Sequence, residues 1–144
     1  MKKPKLFKQE KSYSCTVACL RMVLQHYGIE EDEKTLRKKS KTRFYGTHPV
    51  NVVECANLYG LKTDVSSITL GKLQELVNQN IPVIANILKF VDDDFYIHSI
   101  VVYRVEKDLI YLLDPEDGEM HFKSDLFERL WQGTEYTAII IEKP

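Results

Sequence analysis

The stretch QEKSYSCTVACLRMVLQHYG, residues 9–28, decides how the rest of the chain is read. Val17, Leu20, Leu24 and Tyr27 recur at steps of three and four, the spacing that gathers apolar side chains on one helix face. Gly28 supplies a stop. Ser12 and Ser14 both suit an N-cap, because a serine hydroxyl can accept a hydrogen bond from an orphan amide of the first turn. Either choice puts Cys15 in that turn. A thiol there meets the positive end of the helix macrodipole and unpaired backbone N–H groups, which favour the nucleophilic thiolate. Position makes Cys15 a candidate nucleophile, although cysteine at a helix start is commonly packing, being among the most buried residue types. Cys19, one turn further on, and Cys55, inside a later helical pattern, read as structural.

Composition narrows the field. A chain of 144 residues fits one domain, residues 1–144, large enough to bury a core without disulfides or metal. Its 44% hydrophobic and 28% charged residues are those of an ordinary globular protein, and its net charge of −1 gives no reason to expect nucleic acid as a partner. Three cysteines in no metal-ligand pattern and the lack of an apolar leader point to a reduced, cytoplasmic setting. No apolar run reaches the roughly 20 residues of a membrane span.

Outward from the first helix, residues 1–14 read as an extended lead-in and residues 30–41 as a charged surface helix anchored by Ile29 and Leu36. Thr47 is the expected N-cap of a helix with Pro49 in its first turn and Val50, Val53, Ala56 and Tyr59 on its apolar side. Residues 61–68 read as a strand, and Ser67 or Thr69 opens a helix through Leu73, Leu76 and Val77. Residues 81–88 form a buried strand, with Pro82 near its start. The acidic run at 92–94 reads as a solvated loop. Residues 99–105 and 109–113 are strong β runs joined by a short polar connector, which predicts a hairpin. A strand around Met120, a helix capped by Ser124 and running through Trp131, and a last strand over 136–141 complete an α+β arrangement.

The hairpin has a chemical consequence. It carries His98 and Asp114 to its open end, within one or two residues of opposition, where cross-strand Cβ atoms lie about 5 Å apart. A thiol nucleophile needs a base, a group to orient that base, and donors for the oxyanion. The chain offers Cys15, His98 and Asp114 in the first three roles, and the Gln9 side-chain amide with the Cys15 backbone N–H for the last. His26 lies three turns from Cys15, His48 beside a helix start, and His121 on a polar strand, so each is a weaker base. Tyr13, Phe44 and Trp131 suit a cleft wall or the core.

Gln9 six residues before Cys15, the run CTVACLRM followed by Gly28, HSIVVY beginning at His98, and Asp114-Pro115 ahead of Gly118 span nearly the whole chain. In this order they resemble the bacteriocin-processing, double-glycine cysteine peptidases, cysteine peptidase family 39, which are met as N-terminal domains of peptide-exporting ABC transporters. The resemblance implies a papain-like fold, with N-terminal helices packed on a C-terminal antiparallel sheet. It further implies cleavage of a precursor peptide after a Gly-Gly leader, with no metal or organic cofactor. The chain departs from the family pattern at Ser14, where an acidic residue is usual, and at Thr16, where glycine is usual; Thr16 adds a β-branched side chain beside the nucleophile. It ends at Pro144 without membrane spans or a nucleotide-binding domain, which predicts a stand-alone relative and leaves a separate exporter open as a partner. Two other readings keep the fold: a leader-binding domain without proteolysis, and an acyl or amide transferase sharing the same acyl-enzyme. A redox or metal role for Cys15 and Cys19 lacks a second ligand pair.

Overall fold

The computed structural model describes residues 2–144, so the lead-in is tested from Lys2 onward and Met1 lies outside the described residues. Helix α1 (Cys15–His26) follows the apolar stripe, and its Leu20, Met22 and Leu24 are fully buried. Each such side chain contributes about 1.5–3 kcal/mol, so the helix start that carries Cys15 is anchored by the core. Past Tyr27, the Gly28 amide donates to the Gln25 carbonyl and the Ile29 amide to that of Leu24; Gly28 makes this turn at φ +83°.

Helices α2 (Glu33–Lys39) and α3 (Pro49–Leu58) complete the layer around α1, followed by strand β1 (Lys62–Ser67) and α4 (Leu70–Asn78). Strands β2 (Val83–Val91), β3 (Asp94–Glu106), β4 (Leu109–Asp114) and β5 (Gly118–Lys123) then run as an antiparallel meander. After α5 (Ser124–Gln132), strand β6 (Thr137–Glu142) inserts between β1 and β2, giving the order β1-β6-β2-β3-β4-β5.

Alternation along these strands divides the core in two. Ile84, Val101, Leu113 and Ile139 pack under α1–α3, while Val83, Ala85, Ile100, Val102 and Leu112 pack against α4 and α5 with Phe127 and Trp131. The expected helical layer on an antiparallel sheet is present, and the sheet carries a second helical layer on its other face. Gly133 fits that side closely, because a Cβ there would lie 2.2 Å from Leu88 Cδ1.

The 92–94 run is not a free loop. Asp92 and Asp93 form a two-residue turn, Val91 pairs with Asp94, and the β2–β3 hairpin continues nine register pairs inward. His98 therefore sits inside a 13-residue strand rather than at its start. Of the expected caps, Thr69 opens α4 as one of the two residues anticipated. Two others differ: His48, not Thr47, caps α3, its Nδ1 accepting from the Val50 amide. Lys123 occupies the N-cap position of α5, so Ser124 is its first residue. On α3 the buried face is Val52, Cys55 and Ala56, which join the core under α1, and this leaves Val50 on the exposed side.

One irregularity positions the site. Near the β3–β4 turn, Val105 pairs with Ile110 and Arg104 with Tyr111; beyond a bulge at Tyr103, Val102 pairs with Leu112 and Val101 with Leu113. A one-residue slip exchanges the two faces of a strand. Carried straight through, the first register would set Asp114 against Val101, on the face opposite His98. The bulge instead sets it level with Ile100, on the same face as His98 and one diagonal step away.

Candidate active site

Ser14 stands at the N-cap position of α1, yet its hydroxyl makes no cap bond. It is buried, and it donates to the Lys11 carbonyl (3.0 Å) and to Glu33 Oε1 (3.1 Å). Glu33, 1% exposed, also accepts from the Glu10 amide (2.9 Å) and from Arg37 Nε (2.9 Å). This buried carboxylate ties the loop before the thiol to α2. An acidic side chain at position 14 would meet it head on, so serine at that position and glutamate at 33 are mutually consistent.

Cys15 is the first residue of α1 and half-buried, and its amide has no acceptor within the helix. It lines a cleft of about 450 Å³ together with Tyr13, Thr16, Asn86, Tyr96 and His98, walled further by Phe44 and Tyr45. The thiol lies 3.8 Å from Thr16 Oγ1. Thr16 in turn bonds Ser99 Oγ (2.9 Å), which donates to Asn86 Oδ1 (2.7 Å). The β-branched residue thus belongs to a polar chain running from α1 through β3 to β2.

His98 is 1% exposed and its Nε2 lies 2.7 Å from Asp114 Oδ1. The ionised carboxylate only accepts, so the proton is on Nε2 and Nδ1 is left as the basic nitrogen. Asp114 Oδ1 also accepts from the amides of Glu116 (2.7 Å) and Asp117 (3.3 Å), and Oδ2 accepts from Lys89 Nζ (3.0 Å). Lys89 reaches Glu116 Oε1 (3.0 Å) and Asp117 Oδ2 (2.8 Å) as well, and Tyr96 donates its hydroxyl proton to Glu116. Glu116 Oε1 stands 3.5 Å from His98 Nδ1. His98, Asp114 and Glu116 offer three potential metal-ligand atoms within 4.8 Å of one another, but the Lys89 ammonium already bridges both carboxylates.

The electrostatics follow from these contacts. Burial pushes the Cys15 thiol up, but the hydrogen bond and charge of His98, with help from the Ser99 backbone and Thr16, hold it below its ordinary value. Burial would favour a neutral His98, yet Asp114 and Cys15 raise the imidazole to about 9. Burial likewise opposes ionisation of Asp114, while His98, the Glu116 amide and Lys89 hold its carboxyl well below the usual carboxylate range. The arrangement favours a thiolate beside an imidazolium.

Gln9 lies in the loop ahead of the thiol. Its backbone amide donates to the Pro115 carbonyl (2.9 Å), and its Nε2 donates to the carbonyls of Lys11 (2.8 Å) and Ser12 (3.3 Å). It is not among the side chains lining the cleft, whereas Tyr13 and Phe44 are; Trp131 is core. His26 bonds the Asn80 carbonyl, His48 caps α3, and His121 pairs with Tyr111. Cys19 and Cys55 are fully buried and unpaired, and burial raises the Cys19 thiol well above its ordinary value.

Lys89, Glu116, Ser99, Asn86 and Glu33 take part in the site without having been singled out from sequence. Lys89 was hidden in an apolar strand, and Glu33 in a charged helix expected to be solvated. Among the described residues no helix is long and apolar enough to cross a membrane.

Comparison with known proteins bears on the family and the fold. The chain is 30% identical over 140 residues to the lactococcin-G-processing and transport ATP-binding protein LagD of Lactococcus lactis, covering 97% of this chain and 19% of LagD. It thus spans about a fifth of that relative's length. The crystal structure of the peptidase domain of Streptococcus ComA, a bifunctional ABC transporter, superposes with a TM-score of 0.82 at 26% identity, over 97% of this chain and 98% of that domain. A double glycine motif protease from an AMS/PCAT transporter, solved in complex with its leader peptide, shares the fold with a TM-score of 0.81 at 22% identity, over 99% of this chain and 93% of that one. The model of the peptidase C39 family matches residues 3–143, and the chain belongs to that family.

Proposed function

We propose that this protein is a cysteine endopeptidase that cleaves a precursor peptide after a Gly-Gly type leader. The observation that carries the reading is the meeting of a helix-start thiol with a carboxylate-held imidazole in one cleft. Cys15 transfers its proton to His98, and the thiolate attacks the scissile carbonyl carbon. The oxyanion that forms is received by the Cys15 backbone N–H and by the Gln9 side-chain amide, which turns from its carbonyl partners toward the cleft. Collapse of the tetrahedral intermediate breaks the C–N bond as His98 gives its proton to the leaving amine. Water, deprotonated by His98, then hydrolyses the thioester and regenerates the thiol. Asp114 holds the Nε2–H tautomer throughout.

Kinship and the cleft itself support this substrate class. The bulky side chains of Tyr13, Phe44, Tyr45, Tyr96 and Ile97 line it, and two consecutive glycines pass such walls without a Cβ to accommodate. The related double glycine motif protease was solved with its leader peptide bound.

The test combines two measurements. Iodoacetamide alkylation of Cys15, followed by mass spectrometry against pH, should proceed well below pH 8.5, about the pKa of a free thiol, and lose that reactivity in His98→Ala. Peptides containing Gly-Gly should be cut after the second glycine by the parent and left intact by Cys15→Ala. Slow labelling that ignores His98 removes the mechanism.

A further inference from the structure

We propose that a basic groove beside the cleft is a subsite for an acidic segment of the same peptide whose scissile bond meets Cys15. This rests on the reading that the cleft takes a peptide. The groove, about 790 Å³, is lined by Tyr13, Lys34, Arg37, Lys38, Lys39 and Thr42. Tyr13 also lines the catalytic cleft, and Thr42 Oγ1 is 2.8 Å from Oγ1 of Thr47, another cleft residue. The two depressions therefore adjoin at Tyr13, and a peptide seated in the cleft has the groove beside it.

Residues 34–43, KTLRKKSKTR, hold six basic and no acidic residues in a chain whose net charge is −1. Two of the six are engaged: Arg37 with Glu33 and Glu10, and Lys39 with the Tyr59 hydroxyl. Lys34, Lys38, Lys41 and Arg43 are exposed and, among the described residues, make no salt bridge.

A solvated helix end accounts for only part of this. Basic residues in a last turn complement the helix dipole, which serves for Lys38 and Lys39. Lys34 lies in the first turn, where the same dipole disfavours it, and it stands four residues from Lys38, a like-charge pair that weakens an isolated helix. Lys41 and Arg43 lie beyond the helix. Of the unpaired cations, Lys34 and Lys38 line the groove itself, and carboxylates on a threaded peptide are the counter-charge that fits them. The proximity of the nucleophile selects a peptide over a nucleic acid.

The experiment uses fluorescein-labelled peptides that carry Gly-Gly and a run of five glutamates, placed on either side of the glycines, with glutamine counterparts. Anisotropy is measured with the Cys15→Ala chain, which holds a peptide without cutting it. One glutamate peptide should bind roughly tenfold more tightly than its glutamine partner, the sum of several weak exposed ion pairs. The gain should vanish near 1 M salt, where screening acts within about 3 Å. Lys34→Glu/Lys38→Glu, checked for folding by circular dichroism, should erase it, while Lys143→Glu retains it. In the parent chain the same peptide should shield Cys15 from iodoacetamide.

Equal binding of glutamate and glutamine peptides overturns the subsite. So does binding that leaves Cys15 unshielded, or binding of a single-stranded DNA of equal charge at least as tightly. If glutamate-dependent binding and shielding hold but the parent cuts no Gly-Gly peptide, the subsite stands and the peptidase reading falls.

Discussion

The two walls of the cleft are held by different physics. The thiol wall is local: Cys15 begins a helix whose own apolar stripe buries it, and Glu33 pins the preceding loop through Ser14 and Glu10. The imidazole wall is non-local. His98 and Asp114 come from neighbouring strands, and they share a face because a single extra residue at Tyr103 changes the register between them. The thiol can therefore be placed by any sequence that starts a helix there, whereas the base depends on one bulge and on the charged cluster around Lys89.

The largest effect should come from the thiol itself. Cys15→Ala should lower cleavage of a Gly-Gly peptide by roughly 10⁴-fold or more, measured in single turnover, with the fold unchanged by circular dichroism. Breaking the other wall should leave a remnant. Asp114→Asn removes the fixed acceptor of His98 Nε2, with an expected loss on the order of 10²–10⁴ in kcat and slower low-pH alkylation of Cys15. An intact rate in that variant would mean that Glu116 or Lys89 alone orients the ring.

The pH dependence separates the walls further. The reactive ion pair should persist upward until His98 loses its proton at about 9, so alkylation per thiolate should change character there in the parent but not in His98→Ala. Stability carries opposite signs at the two partners. His98 is raised from 6.5 to about 9, so its contribution is full below 6.5 and is lost as pH climbs through about 9. Asp114 is depressed from 3.8, so its contribution is present above 3.8 and disappears as pH falls through its folded value. Melting temperature followed by calorimetry should fall at both extremes, and Asp114→Asn should flatten the acid side.

Glu33→Gln tests the thiol wall without touching the chemistry. Loss of the charge that Ser14, the Glu10 amide and Arg37 share should destabilise the fold by about 1–3 kcal/mol, read from urea unfolding, while activity falls less than in Asp114→Asn. The smallest change should follow Lys89→Met. Removing the cation shared by Asp114, Glu116 and Asp117 leaves more negative charge near His98, so the alkaline limit of Cys15 reactivity should move up, by less than about one unit. A downward move would show that Lys89 acts by position instead.

Much of this was readable along the chain. The three- and four-residue spacing of Val17, Leu20 and Leu24 identifies α1, and the β runs on either side of residues 106–108 identify the hairpin that brings His98 toward Asp114. Local capping misled where two neighbours could serve. Thr47 and His48 both have acceptors, and His48 prevails because Pro49 then takes the first helical position. The acidic run at 92–94 reads as a loop because charge signals solvent, yet two of its residues suffice for a turn and the third begins β3.

By itself, then, the order of residues determined the elements, the helix-start placement of Cys15 and the approach of an imidazole to a carboxylate, since periodicity and hairpin length are local properties. Only the tertiary structure decided which face Asp114 takes, that Lys89 bridges three carboxylates, that Glu33 lies buried under the loop before Cys15, and that the groove lined by Lys34 and Lys38 adjoins the cleft at Tyr13. The reason is physical: a bulge, a buried ion pair and a shared groove wall each depend on segments far apart in the chain, and no spacing rule encodes where those segments meet.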